Sequence, residues 1–211
     1  MKILVIGASQ GTGAAVVQSA LQRGHFVTAF ARSPSKLSIQ HEHLLRFQGD
    51  FHRADSVARA VAGHDAVIVT ASAGSLKGFK EQPDYFSRGT RYVIDAMVEQ
   101  AVKRLIVLSA FGVGDSRRAG NWLLNRVLIP FVLSVPYADH ERQERMVMDS
   151  DLDWVIARPT RLTNAPAHGH YLADAAIAPV PSSISRADVA DFLVRAVSED
   201  TWLRKAVQLG G

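Results

Sequence analysis

The 211-residue chain contains no cysteine. That removes disulfides, thiolate metal sites and a cysteine nucleophile together, and it suits a reducing compartment. Charge of one sign is not concentrated anywhere. The net charge of +4 is mild and dispersed, and the densest basic spots, Arg117-Arg118 and Arg142/Arg145, are not interleaved with aromatics. Such a balance helps to draw in anionic small molecules and lacks the footprint of a nucleic-acid binder. Long hydrophobic runs are also missing. The longest, Trp122 to Val135, is too short to span a bilayer and contains Arg126 and Pro130. No basic leader and cleavage region fits before Gly7. A cytoplasmic location with no membrane and no nucleic-acid partner is therefore expected. Apolar residues make up 47% of the chain, enough for a packed core rather than disorder.

What is present begins at residue 2. An apolar run ends in Gly7-Ala8-Ser9-Gln10-Gly11-Thr12-Gly13 and leads into helix-like sequence. The first glycine makes the tight turn; the later ones admit a pyrophosphate to the backbone and let helix and strand pack closely. Amide N–H groups at the helix start, with the helix dipole, favour an anion there. The flanking strand and helix are the context that a dinucleotide-binding motif requires.

The second strand, His25 to Ala31, ends in Arg32-Ser33-Pro34-Ser35-Lys36. An NAD site usually places a carboxylate near this point to accept from the ribose 2′-hydroxyl. A guanidinium cannot accept, but it pairs with a 2′-phosphate. Arg32, with donors on Ser33 and Lys36, therefore favours NADP(H) over NAD(H).

Further on, strand-like and helix-like segments alternate, which argues for a parallel sheet covered on both faces. Helices are expected over Gln10–Gln22, Asp55–Ala62, Asp84–Val102, Asn121–Leu133, Glu141–Met148 and Arg186–Ser198, with a break near Pro136. Strands are expected over Leu44–Gln48, Ala66–Ala71, Leu105–Leu108, Trp154–Ala157 and Ala206–Leu209. The fold class is thus α/β, a Rossmann-like doubly wound parallel sheet in one domain over 1–211. Regions of about 111–140 and 160–184 would supply the substrate side. Ligands in such folds bind beyond the carboxyl ends of the strands. Those ends carry Gly7 to Ser9, Arg32, Asp50-Phe51, Ala71-Ser72, Ser109 to Phe111, and Pro159 to Arg161. Asp50 would accept from the adenine amino group, Ala71 and Ser72 would line the ribose and diphosphate, and Ser109 would face the nicotinamide.

Several short motifs in order carry a family resemblance: the glycine loop, Gly49-Asp50, Val61-Ala62-Gly63-His64-Asp65, Ser109-Ala110-Phe111, Asp139-His140, Asp151 through Arg158-Pro159, and Ile184-Ser185-Arg186-Ala187-Asp188. With these the chain resembles an atypical short-chain dehydrogenase/reductase of the biliverdin-IX-β reductase/flavin reductase type. The resemblance implies a catalytic-site serine at Ser109 and a pocket histidine at His140. Phe111, Arg161 and His168 would border the substrate. Gln10 stands where such relatives usually have glycine, while Gly11 and Gly13 keep the spacing of the larger class.

That larger class uses a tyrosine with a lysine four residues later. Here Tyr137 is followed by Glu141, and a carboxylate raises a phenol's pKa rather than lowering it. The expected activity is therefore hydride transfer from NADPH to a conjugated acceptor such as a flavin, quinone or bilin-like molecule. The alternatives are an NADP(H)-binding redox sensor with little turnover, or an NAD(P)-dependent epimerase/dehydratase-like enzyme. No metal is expected, because His41-Glu42-His43 and His168-Gly169-His170 lack a third ligand at an obvious spacing. Monomer and homodimer both remain open.

Overall fold

The computed structural model describes residues 1–120, 122 and 124–211. The first half alternates β1 (Lys2–Ile6), α1 (Gly11–Gln22), β2 (Phe26–Ala31), β3 (Leu44–Gln48), α2 (Ala54–Val61) and β4 (Ala66–Val69). A short α3 (Leu76–Glu81) precedes α4 (Tyr85–Glu99) and β5 (Arg104–Leu108). Then come α5 (Ser134–Met148), β6 (Asp153–Pro159), β7 (Arg161–Thr163), β8 (Leu172–Asp174), β9 (Ser183–Ser185), α6 (Arg186–Arg195) and β10 (Lys205–Gly210). The eight-stranded sheet has the order β3-β2-β1-β4-β5-β6-β10-β8. All its pairings are parallel except β8 against β10. The order reverses at the β1–β4 seam, the place where a Rossmann-like sheet opens a ligand crevice.

The two-residue period of β1 sends Ile3 and Val5 to one face and Leu4 and Ile6 to the other. Both faces are covered, so the strand is apolar throughout. On the first face α1 and α6 contribute Val16, Val17, Ala20, Val189 and Leu193. On the second, α2, α4 and α5 contribute Val57, Val61, Val93, Met97 and Val147. Full burial of a side chain of this size is worth about 1.5–3 kcal/mol.

Several boundaries differ from the sequence expectation. α4 stops at Glu99, short of Val102, and Ala101 just beyond it takes a left-handed backbone with φ of 57°. α5 is one helix starting at Ser134, so Pro136 does not separate two helices. It lies in the first turn, where an amide N–H has no intrahelical acceptor and a proline costs little. The helix expected over Asn121–Leu133 includes Asn121 and Leu123, which lie outside the described residues; Leu124–Val132 forms a π-helical run containing Pro130. Region 160–184, for which the sequence suggested no strand, holds β7, β8 and most of β9, and β7 pairs with β9 in a separate two-stranded sheet.

The glycine turn draws α1 onto the sheet. Gly7 has φ of +88°, and a Cβ there would lie 2.6 Å from the backbone of Ala71. A Cβ on Gly13 would lie 2.1 Å from the Gly7 carbonyl oxygen and 2.7 Å from Thr70 Oγ1. Thr70 Oγ1 itself donates to the Ile6 carbonyl at 2.9 Å. Gly13→Ala should therefore push α1 off the β1–β4 seam and cost about 1–3 kcal/mol of stability or more. Urea denaturation measures this directly; an unchanged midpoint would refute so tight a seam.

Candidate nucleotide and catalytic site

The carboxyl ends of β1, β2 and β3 build one end of the cleft. Gly7 and Ala8 amides both donate to the Phe30 carbonyl, at 3.0 and 3.2 Å, which joins the glycine turn to the end of β2. α1 starts without a side-chain cap on Gln10 and without an acidic residue in its first turn. Nothing in its own sequence neutralises the positive end of that helix, so an anion fits there. Gly11 is exposed, with φ of +58°, and a methyl group added to it would meet only Arg186 within 4 Å, at 3.7 Å. Ser9 is half-buried and Thr12 buried along the same turn.

Beside it lies a cleft of about 420 Å³ whose wall includes Arg32, Asp50, Arg53, Ser56 and Arg59. Arg32 stands just past β2, exposed, as the sequence suggested. Ser33 and Lys36 are exposed on the short 3-10 turn that follows. The sequence did not single out Arg53 and Arg59. Their signal was position: one precedes α2 and the other lies along it, directly after the strand end at Gly49-Asp50. Arg53 pairs with Asp55 at 3.2 Å, and Arg59 Nε donates to the Asp55 carbonyl at 3.4 Å. Asp50 accepts from the His52 amide at 2.9 Å while its own amide donates to Ser56 Oγ at 3.2 Å. Phe51 is turned into the core beneath Gly89 and beside Tyr85. Ala71 is buried against Gly7, and Ser72 is exposed with its hydroxyl accepting from Gly74 N.

The ends of β5 and β6 build the other part. Ser109, buried, donates through Oγ to Glu144 Oε1 at 2.6 Å. Glu144 also accepts from Arg158 Nε and Nη2 at 2.9 and 2.7 Å. Arg158 reaches Asp115 as well. Burial opposes the Arg158 charge, but the two carboxylates outweigh it and hold the guanidinium more firmly protonated than usual. Phe111 N donates to the Pro159 carbonyl at 2.9 Å, and the Phe111 carbonyl accepts from Tyr137 Oη at 2.9 Å. The Tyr137 pKa is raised, as expected, though the cause is burial rather than Glu141; Glu141 pairs with Arg145 at 3.1 Å.

His140 lies within α5. It is buried, stacked on Phe86 with ring centroids 3.7 Å apart, and its Nδ1 meets Gln143 Oε1 at 2.9 Å. Gln143 in turn donates to Thr90 Oγ1 at 2.8 Å, so its oxygen is left to accept and the proton belongs on His140 Nδ1. Burial lowers the His140 pKa. Next to it, Asp139 accepts from the amides of Phe86 and Ser87 at 2.6 and 3.4 Å, capping α4 from another helix. Arg161 is exposed at the start of β7. His168 is exposed too, and its loop is held by Asp188, which accepts from His168 N and Gly169 N at 3.5 and 3.0 Å. Among the described residues no group of three His, Asp or Glu is placed to hold a metal ion, and no helix is long and apolar enough to cross a membrane.

A Rossmann-like sheet with this glycine turn defines a dinucleotide-binding class. Residues 7–200 match the NAD(P)H-binding family, and the chain belongs to that family. It is 29% identical over 216 residues to a Bacillus subtilis (strain 168) protein named an uncharacterized sugar epimerase, covering 99% of this chain and 94% of that one. The structure is similar to an oxidoreductase from Lactococcus lactis, with a TM-score of 0.84 and 21% identity over 100% of this chain and 91% of that one. It is also similar to a short-chain dehydrogenase/reductase from Veillonella parvula in complex with NADP, with a TM-score of 0.82 and 17% identity over 100% and 94% of the two chains.

Two outcomes follow from the buried groups. Glu144→Gln leaves the Arg158 charge underpaired in the interior, which typically costs about 3–5 kcal/mol; thermal unfolding should register it, and a loss below about 1 kcal/mol would contradict a tightly coupled pair. His140 has a folded pKa below its unfolded value of 6.5. The unfolded chain therefore takes up the proton first, and stability falls as pH drops below that value. The dependence of denaturation on pH around and below 6.5 should flatten in His140→Asn; a slope equal to that of the unaltered protein would remove His140 as its source.

Proposed function

We propose that the chain is an NADPH-dependent reductase that passes hydride to a flat conjugated acceptor of the flavin, quinone or bilin type. The carrying observation is the state of Tyr137: its hydroxyl proton is engaged by the Phe111 carbonyl, its pKa is raised, and no lysine stands one helical turn on. Reduction of an isolated carbonyl needs an acid at the developing alkoxide. A conjugated acceptor spreads the incoming charge over its π-system and asks mainly for positioning.

When bound, the nicotinamide supplies the hydride. The roles of the protein are binding and orientation. Arg32 and Arg59 take the 2′-phosphate, the Gly7–Gly13 turn takes the diphosphate, and Asp50 accepts from the adenine. Ser109 has given its proton to a hydrogen bond with Glu144, so toward a ligand its oxygen accepts, which suits the nicotinamide amide. Phe111 and Pro159 lie at the same strand ends, with Arg161 and His168 on the substrate side. His140, neutral and with its proton on Nδ1, keeps a bare Nε2 lone pair that orients a water, and solvent completes the reduction with a proton. A second reading, epimerase-like chemistry on a sugar nucleotide, draws support from the name of the Bacillus subtilis relative; the missing tyrosine–lysine pair weighs against it.

The test is NADPH oxidation, followed by its absorbance, with FMN, FAD, a quinone and biliverdin, and in parallel sugar-nucleotide interconversion. Turnover with a conjugated acceptor is expected, lowered in Ser109→Ala. Arg32→Ala combined with Arg59→Ala should raise KM for NADPH about tenfold or more and leave NADH unaffected. Tight NADPH binding without any turnover would sink the reductase and favour a sensor; interconversion of sugar nucleotides would favour the second reading.

A further inference from the structure

α6 begins at Arg186, and its first turn is closed by Ser185, whose Oγ accepts from Asp188 N at 2.9 Å and donates to Asp188 Oδ2 at 2.7 Å. The remaining capacity of the fully buried Asp188 goes to His168 N and Gly169 N. Its carboxylate is thus occupied away from Arg186, and among the described residues Arg186 forms no ion pair. What holds Arg186 is Asn164, whose Oδ1 accepts from Nη1 at 2.7 Å. The packing of α6 along α1 buries Val16, Val17, Val189 and Leu193 in one cluster, and it brings Arg186 to the head of α1. A methyl on Gly11 would lie 3.7 Å from Arg186 Nε and meet nothing else within 4 Å.

This guanidinium therefore stands, half-buried and, among the described residues, without a countercharge, beside the first residue of a helix whose start has neither a side-chain cap nor an acid. Two positive features, a helix N-terminus and an arginine, are brought together without an anion of the described chain between them. Like fields so placed raise each other's energy unless an anion joins them. An arginine offers five N–H donors in a planar fork that suits phosphate oxygens, and one hydrogen bond to Asn164 leaves most of them free to donate.

We propose that Arg186 is a diphosphate-binding residue, reaching from α6 to the cofactor held at the start of α1, with Asn164 setting its orientation. The inference rests on the nucleotide site described above and adds to it a contact from the far end of the chain. It divides the cofactor between two sets of arginines: Arg32 and Arg59 for the 2′-phosphate, Arg186 for the diphosphate.

Calorimetry with NADP+ and with adenosine 2′-monophosphate, which lacks the diphosphate, separates the two sets. In Arg186→Gln the Kd for NADP+ should rise about tenfold to a hundredfold, with adenosine 2′-monophosphate bound as before. Arg186→Lys should fall between, and Asn164→Ala should weaken NADP+ alone. Unchanged adenosine 2′-monophosphate binding also shows that the variant is folded. Overturning results are NADP+ affinity within about twofold of the unaltered protein, or equal losses for both ligands. If the unaltered protein binds neither ligand, the nucleotide site itself fails and this inference with it; if it binds both and Arg186→Gln matches it, only the role of Arg186 falls.

Discussion

How near α1 can come to the sheet governs the nucleotide side of the molecule. The hydrogen-only positions Gly7 and Gly13 face each other across the β1–α1 turn, and the space a Cβ of Gly13 would need is taken by the Gly7 carbonyl. Close approach there fixes the direction of α1. It also ties the turn to β2 through the Phe30 carbonyl, which accepts from two successive amides. The glycine turn, the strand end before Arg32 and the head of α1 therefore form one rigid unit, and the helix dipole is aimed by packing rather than by a capping side chain. The same approach lets α6 lie along α1, without which Arg186 would have no reason to be near Gly11.

A different constraint rules the ends of β5 and β6. Arg158 and Glu144 have side-chain exposures of 4% and 3%, so each has lost its water. A buried pair of this kind is weak evidence of net stability but strongly specifies an arrangement, because either charge alone is costly. It links α5 to β6, and through Asp115 to the turn after β5. Ser109 is bound into this network as a donor, so its oxygen faces any ligand as an acceptor. The direction of the serine's hydroxyl is set by a glutamate 35 residues away.

Much of this was legible in the sequence, and the parts that were not share a cause. Periodicity and glycine punctuation located the strands of the parallel sheet and the order of alternation, because buried strands are apolar on both faces and the turn chemistry is local. The place of Arg32 beside the glycine loop was readable because the second strand end is adjacent to that loop in such folds. The nearness of Arg59 to the Arg32 cleft and of Arg186 to Gly11 was not readable, since an arginine on a helix is usually a solvated charge until the packing partner is known. Glu144 is similar: surrounded in sequence by Arg142, Gln143 and Arg145, it resembles a surface position, and only its pairing with Arg158 across α5 and β6 takes it inside. Pro136 misled in the opposite way, since a proline reads as a break unless the helix start is known.

The two ends of the cleft follow opposite electrostatic rules, and the contrast bears on what each can accept. At the nucleotide end, Arg32, Arg53 and Arg59 are exposed to water. Screening makes each contact modest, so recognition of a phosphate there needs several cations and should weaken with salt. At the β5–β6 end the buried cation, Arg158, is already met by two carboxylates, and the strand ends carry the Ser109 hydroxyl and the Phe111 and Pro159 backbone. A sugar nucleotide would bring a second diphosphate to a region whose buried cation is already paired, leaving Arg161, exposed at the start of β7, as a water-screened contact for it. A flat, weakly polar acceptor loses little water on entering, and the bound groups ask of it only a hydrogen bond and a plane. On the proposed function, a cofactor is held by its phosphates at one end and an acceptor by shape at the other.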